Sequence, residues 1–204
     1  PTLVLCPNSA IQAQWIARAK ELFNLDGKDN QIGTDAKSPG LLTSLTYQSV
    51  TLPKRGDKSL DDSAIELWMN KLLSENEVDD LESSKVWING LKESNLIYYN
   101  ERLSYYRKKI RDNLAIHGNA LWTLHESSKK NLENLSKLDI GLIILDECHH
   151  LLGHWGRVLS EIREYFGNPI VLGLTATPPD LNSVNANDGK RYQEFFGEID
   201  YEVP

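Results

Sequence analysis

Three short runs of consecutive apolar residues constrain this chain most: TLVLC (2–6), LIIL (142–145) and IVLGL (170–174). A strand with one wet face alternates apolar and polar residues. A run that is apolar at every position needs cover on both faces, which is the situation inside a parallel sheet. Helical patterns follow the first two runs. After TLVLCP, the segment NSAIQAQWIARAKELF sets Ile11, Trp15, Ala19 and Leu22 at helical spacing, with Asn8 or Ser9 available to cap the start. After LIILDE, the segment WGRVLSEIREYF ends at Gly167, a natural residue for the position just past a helix. LLTSLTYQSV (41–50) has the β-branched and aromatic character of a strand with its exit turn. GKDNQIGTD reads as a loop with a short strand, and RYQEFFGEIDYEVP as an exit through a last short strand.

The middle differs. From about Leu52 to Lys137 no strand pattern occurs. Leu60, Ala64, Leu67 and Leu72, then Val86, Ile88 and Leu91, mark short amphipathic helices, and NLIYYNERLSYYRKKIRDNLAIHGNALWTL a longer one. The acidic run SENEVDDLESS reads as a solvated linker. The division expected is therefore 1–51, 52–137 and 138–204: an α/β parallel sheet interrupted by an all-helical insertion. A chain of 204 residues is long enough to bury such a core.

The net charge of −7 excludes a uniformly basic nucleic-acid binder, so any polyanion contact has to come from a local patch or from backbone N–H groups. Two cysteines are too few for a disulfide framework and fit a reducing, cytoplasmic compartment. No apolar run approaches the ~20 residues that span a bilayer. The chain opens at Pro1 without Met, as expected of a piece of a longer protein.

The chemistry sits where the runs end. In an open parallel sheet, ligands bind beyond the carboxyl ends of the strands. Asp146 and Glu147 fall at the end of LIIL. There Asp146 can hold a hydrated Mg²⁺, and Glu147 can orient or deprotonate a water. GLTATPP starts at the end of the next run, so Thr175 and Thr177 belong to the same rim. Alone, either segment is unremarkable; one strand and one helix apart, they form a specific pair.

LDECHH resembles motif II of the DExH helicases of superfamily 2, and LTATPP resembles motif III. TLVLCPNSAIQAQW is similar to motif Ia and LTYQSV to motif Ib. The resemblance covers roughly 1–51 and 138–204. It implies a RecA-like domain of P-loop NTPase type, here incomplete, from the DNA repair and restriction branch. The cofactors it implies are ATP and Mg²⁺; the partners are a second RecA-like domain and nucleic acid, DNA in preference to RNA. By position, Asp146 would hold Mg²⁺ through water, Glu147 would activate the hydrolytic water, and His149 with Thr175 and Thr177 would couple the γ-phosphate to the track. Asn8 and Ser9 of motif Ia, and Thr46 and Tyr47 of motif Ib, would touch backbone phosphates.

One part is missing. The phosphates need G-x-x-x-x-G-K-[ST], which the chain lacks; RGDKS (55–59) has the wrong glycine spacing. The resemblance places that loop and its strand before motif Ia, usually with the strand central in the sheet. Alone, the chain is expected neither to hydrolyse ATP nor to bind it tightly. Loss of a strand is expected to leave an edge that drives self-association or rearrangement.

Three rival readings attach to particular side chains. Cys148, His149, His150 and His154 lack the two separated pairs of a zinc site, and adjacent His149 and His150 cannot easily face one ion. His150 is expected to pack or hydrogen-bond, and His154 to lie in an exposed loop. A Cys148–His dyad between sequence neighbours is disfavoured, and Cys148 reads as a small buried residue. YYNERLSYYRKKIRD combines stacking and cationic residues suited to single strands, but a helix with tyrosines half in the core explains it better. The insertion is an expected docking place for a partner protein. A different class of answer, a catalytically dead RecA-like binding module, gives no reason for both carboxylates.

Overall fold

The computed structural model describes residues 1–23, 31–54, 58–184 and 186–202. They form β1 (Thr2–Cys6), α1 (Ser9–Leu22), β2 (Ile32–Gly33), β3 (Leu42–Thr46), α2 (Tyr47–Thr51), α3 (Lys58–Ser74), α4 (Leu81–Ser94), α5 (Leu96–Ile116), α6 (Glu126–Leu135), β4 (Leu142–Asp146), α7 (His154–Tyr165), β5 (Ile170–Leu174) and α8 (Ala186–Phe196). The chain divides into two compact units, 1–53 with 124–204, and 54–123.

The first unit is the α/β one. Its five strands are all parallel, in the order β2-β3-β1-β4-β5. β1 is central and buried from Leu3 to Cys6, as an uninterrupted apolar run requires. No gap opens within the sheet. β5 departs from the expectation of a buried strand: it pairs with β4, has no strand on its outer side among the described residues, and leaves Ile170 72% and Leu172 45% exposed.

Three further elements differ from the sequence reading. YQSVT, read as the exit turn of a strand, is the short helix α2, because Tyr47 and Val50 turn fully into the core. The exit segment is helical up to Phe196, with no strand among the described residues after it. α6, placed by sequence in the insertion, belongs to the sheet unit. Its fully buried Ser128 accepts from Leu52 N–H at 3.1 Å and donates to the Ser49 carbonyl at 3.1 Å. Asn131 donates to the same carbonyl at 2.9 Å.

The second unit is helical. Trp68 of α3 stacks on Tyr106 of α5, with ring centroids 5.6 Å apart, and meets Trp87 edge-on and Tyr99 tilted. Arg107 grips Asp61 through two hydrogen bonds. The basic and aromatic stretch thus splits: Tyr99 and Tyr106 are core, whereas Tyr98 and Tyr105 are exposed. Arg55, Gly56 and Asp57 of RGDKS lie outside the described residues. Among those described, no helix is long and apolar enough to cross a membrane.

Candidate active site

Strand register brings the singled-out residues to one rim. Asp146 pairs with Leu174 and Cys6 with Thr46. The next residues, Glu147, Thr175, Pro7 and Tyr47, therefore leave the sheet at one edge, as ligand-binding rims of parallel sheets do.

Asp146 is held at three points. Its Oδ1 accepts from Glu147 N–H at 2.9 Å, its Oδ2 from the Trp15 indole N–H at 2.6 Å, and its carbonyl from the Tyr47 hydroxyl at 2.8 Å. Glu147 then breaks the strand by adopting left-handed backbone angles, φ 52° and ψ 48°. This conformation costs a non-glycine residue about 1 kcal/mol or more. It turns the chain directly into a 3₁₀ turn over Cys148–Leu152.

That turn presents His149 to three oxygens at once. Its Nδ1 lies 2.8 Å from Thr175 Oγ1, 3.4 Å from Thr177 Oγ1 and 3.2 Å from Glu147 Oε2. One ring nitrogen carries either a proton or a lone pair. Protonated, Nδ1 can donate to the Glu147 carboxylate; bare, it can accept from a threonine hydroxyl. A threonine hydroxyl can donate or accept, so Nδ1 keeps a partner there with or without its proton, whereas the Glu147 carboxylate can be served only when Nδ1 carries one. Thr177 N–H also donates to Thr175 Oγ1 at 3.1 Å, tying the two threonines together.

Behind the rim several titratable groups are buried. Burial pushes the Cys6 thiol up to about 11, against the weaker pull of its Ser44 hydrogen bond. Burial likewise raises Cys148, which faces the Tyr192 hydroxyl at 3.3 Å, and raises Tyr47 and Tyr192 themselves. A buried, protonated Cys148 fits packing and not nucleophilic attack. Tyr47 stacks on Trp155 with centroids 5.2 Å apart. Arg191 of α8 donates to the carbonyls of Leu151 and Leu152 at 3.0 and 2.6 Å, capping the end of the 3₁₀ turn.

The structure thus brings Asp146, Glu147, His149, Thr175 and Thr177 together. Asn8, Ser9 and Thr46 lie on the same rim, but spend their polar groups differently. Asn8 Oδ1 accepts from Ala10 and Ile11 N–H, both at 3.0 Å, so its side chain satisfies the first turn of α1. Thr46 shares a 2.9 Å contact with Ser49 Oγ. Tyr47 is a correction: it is fully buried and bonded to Asp146, hence closed to a phosphate backbone. His154 is another: it opens α7, half-buried, with Nε2 3.3 Å from the Thr51 carbonyl. His150 is exposed, its ring 4.0 Å from that of His149. Gln12 and Trp15, inside the stretch similar to motif Ia but given no role there, and Arg191 of α8 carry further contacts.

Among the described residues, no three of His, Cys, Asp and Glu converge as a metal cage. A single rim carboxylate with one donor on each oxygen leaves acceptor capacity free. That donor set fits Mg²⁺, which keeps most of its waters, and not zinc or calcium, which need several protein ligands.

A parallel sheet with Asp-Glu-x-His at the end of one strand and Thr-Ala-Thr at the end of the next defines a class: an incomplete RecA-like domain of the superfamily 2 helicase type. The family model of the type III restriction enzyme, res subunit, matches residues 1–180, and the chain belongs to that family. No curated protein and no solved structure matches it. Membership makes the chain part of an ATP-dependent helicase-type protein, and implies ATP with Mg²⁺, nucleic acid and a second RecA-like domain at the level of the family.

Proposed function

We propose that the sheet unit supplies the magnesium- and water-handling half of the ATP site in a helicase or translocase that runs on DNA. The carrying observation is the cluster in which His149 Nδ1 reaches Glu147, Thr175 and Thr177, one residue from Asp146. Asp146 would hold Mg²⁺ through water, and Mg²⁺ when bound neutralises developing phosphate charge. Glu147 would accept a proton from the attacking water. His149 would pass the state of Glu147 to Thr175 and Thr177, because its Nδ1 lies within reach of all three. Asn8, Ser9 and Thr46 would face backbone phosphates, with no reading of sequence. DNA is favoured over RNA because the matched family is named for a restriction enzyme.

The phosphate loop would come from sequence outside these 204 residues, since none of them forms G-x-x-x-x-G-K-[ST]. Alone, the chain would then be inactive and bind ATP·Mg²⁺ weakly. The unit 54–123 would be an insertion in the domain and the docking place of a partner protein.

Glu147→Gln in the full-length protein tests the central role. The amide keeps the shape but cannot take a proton. ATP turnover should fall by about 10²-fold or more, within the range of a general base, while nucleotide binding persists. Turnover that survives the change would refute the role given to Glu147. Isothermal titration of the 204-residue chain with ATP·Mg²⁺ tests the rest, and micromolar binding would contradict it.

A further inference from the structure

Donors from two different elements meet the Asp146 carboxylate, one on each oxygen. Glu147 N–H reaches Oδ1 at 2.9 Å, and the Trp15 indole N–H reaches Oδ2 at 2.6 Å across 131 positions of sequence. The terminal torsion of a carboxyl group is broad when nothing holds it. With one donor, the two equivalent oxygens can exchange places and keep the bond. With a different donor on each oxygen, the group cannot turn about Cβ–Cγ without straining both bonds. The two ties differ in kind. Glu147 N–H belongs to the next residue and follows any movement of Asp146. The indole belongs to α1 and refers the carboxylate to a separate element.

That element is anchored close by. Gln12 lies three residues before Trp15, on the same side of α1. Its Nε2 donates to the Thr34 and Ser44 carbonyls at 3.1 and 2.5 Å and fixes this face of the helix to the strand ends. The Asp146 main chain is tied independently, by the Tyr47 hydroxyl on its carbonyl at 2.8 Å. An indole N–H can only donate, and a bond this short to an ionised carboxylate is of the strong, charge-assisted kind.

We propose that Trp15 is the positioning residue of the metal carboxylate: it fixes the orientation in which Asp146 meets the hydration shell of Mg²⁺. This rests on the magnesium role given to Asp146 above. Mg²⁺ demands near-ideal octahedral geometry and keeps its waters, so a carboxylate that acts through water has to stand at a set angle. Groups that orient a metal's partners from behind change metal affinity by about 10- to 100-fold when they are lost.

The test uses two substitutions in the full-length protein. Trp15→Phe keeps an aromatic ring and removes the N–H. β-(3-Benzothienyl)alanine, placed at position 15 by nonsense suppression, keeps the two-ring shape and has sulfur in place of the N–H. Affinity for the fluorescent nucleotide mant-ATP is measured with Mg²⁺ and with EDTA. The factor by which Mg²⁺ tightens binding should fall about tenfold in both variants, and further in Asp146→Asn. A misfolded fraction would lower the number of sites and leave this ratio in place. A second readout needs neither metal nor nucleotide: the Trp15 indole ¹⁵N–H resonance, assigned by its loss in Trp15→Phe, should lie downfield and move upfield in Asp146→Asn. A resonance indifferent to Asp146→Asn overturns the inference. So does a magnesium factor lost in Trp15→Phe but kept with the benzothienyl ring, since bulk and not the N–H would then be at work. A factor retained in both Trp15 substitutions and lost in Asp146→Asn overturns it while leaving the magnesium reading intact. A wild-type protein whose nucleotide binding ignores Mg²⁺ removes both.

Discussion

Glu147 stands in the left-handed region, at the residue from which the proposed chemistry departs. Such strain persists only where surroundings enforce it, here the Asp146 ladder before it and the capped turn after it. Glycine adopts these angles freely and alanine does not. Glu147→Gly should therefore be more stable than Glu147→Ala by about 1 kcal/mol, measured by urea unfolding, although both lose the carboxylate. The buried Cys6 thiol gives a pH signature. Its folded pKa, about 11, lies above the ordinary value of 9.0, so the unfolded chain loses that proton first. Cys6 therefore stabilises the fold fully below pH 9 and progressively less as pH rises through about 11. Cys6→Ala should flatten that part of the stability profile. Asp146, Glu147, Thr175 and Thr177 were legible because strand length sends them to one rim, and His149 was legible only through its place in the resemblance to motif II, since the turn that aims it begins after the strand. Trp15 was not: its partner is remote, and helical spacing reads it as core. Tyr47 was misplaced because its hydroxyl answers a main-chain carbonyl, which no side-chain pattern reveals.

At the scale of elements, α8 braces the site. Arg191 caps the Leu151 and Leu152 carbonyls, Tyr192 meets Cys148, and Asp188 receives Arg157 through contacts of 2.9 to 3.1 Å. Gly156 makes room for this, since a Cβ there would collide with the Leu151 carbonyl and the Arg191 guanidinium. Arg191→Ala should cost about 2 kcal/mol in thermal or urea unfolding, because it strands two carbonyls. Arg191→Lys should recover part of it, since both carbonyls accept from one and the same terminal nitrogen and an ammonium carries three donors. Gly156→Ala should disturb the same turn and broaden the resonances of His149 and His150. The α7 pattern and the Gly167 stop were readable, because amphipathic spacing and a left-handed glycine are local signals. α2 and α8 were not. Tyr47 and Val50 look like strand residues until the packing of α6 and α7 claims them, and the aromatic end of α8 looks like a strand until Tyr192 is seen against Cys148.

For the whole molecule, the outer side of β5 is the exposed feature of the sheet. Its exposed apolar residues, with no strand beside them among the described residues, form a template for another strand. The 204-residue chain should therefore self-associate in light scattering, and Ile170→Lys should return it to a monomer; a monomeric wild type would count against pairing at this edge. The helical unit was legible as a region without strands, but its borders were not, because α6 is as amphipathic as its neighbours and only its contacts assign it to the sheet. The borders themselves are closed tightly. Pro53 and Leu124 form an antiparallel bridge, and His125 N–H donates to the Leu52 carbonyl at 2.8 Å. Bridged residues of this kind lie about 5 Å apart, a span that a two-residue turn can close. A gene that exchanged codons 54 to 123 for those of a two-residue turn would thus leave every strand pairing of the sheet in place, and a relative carrying only the turn would share the sheet unit without the helical one.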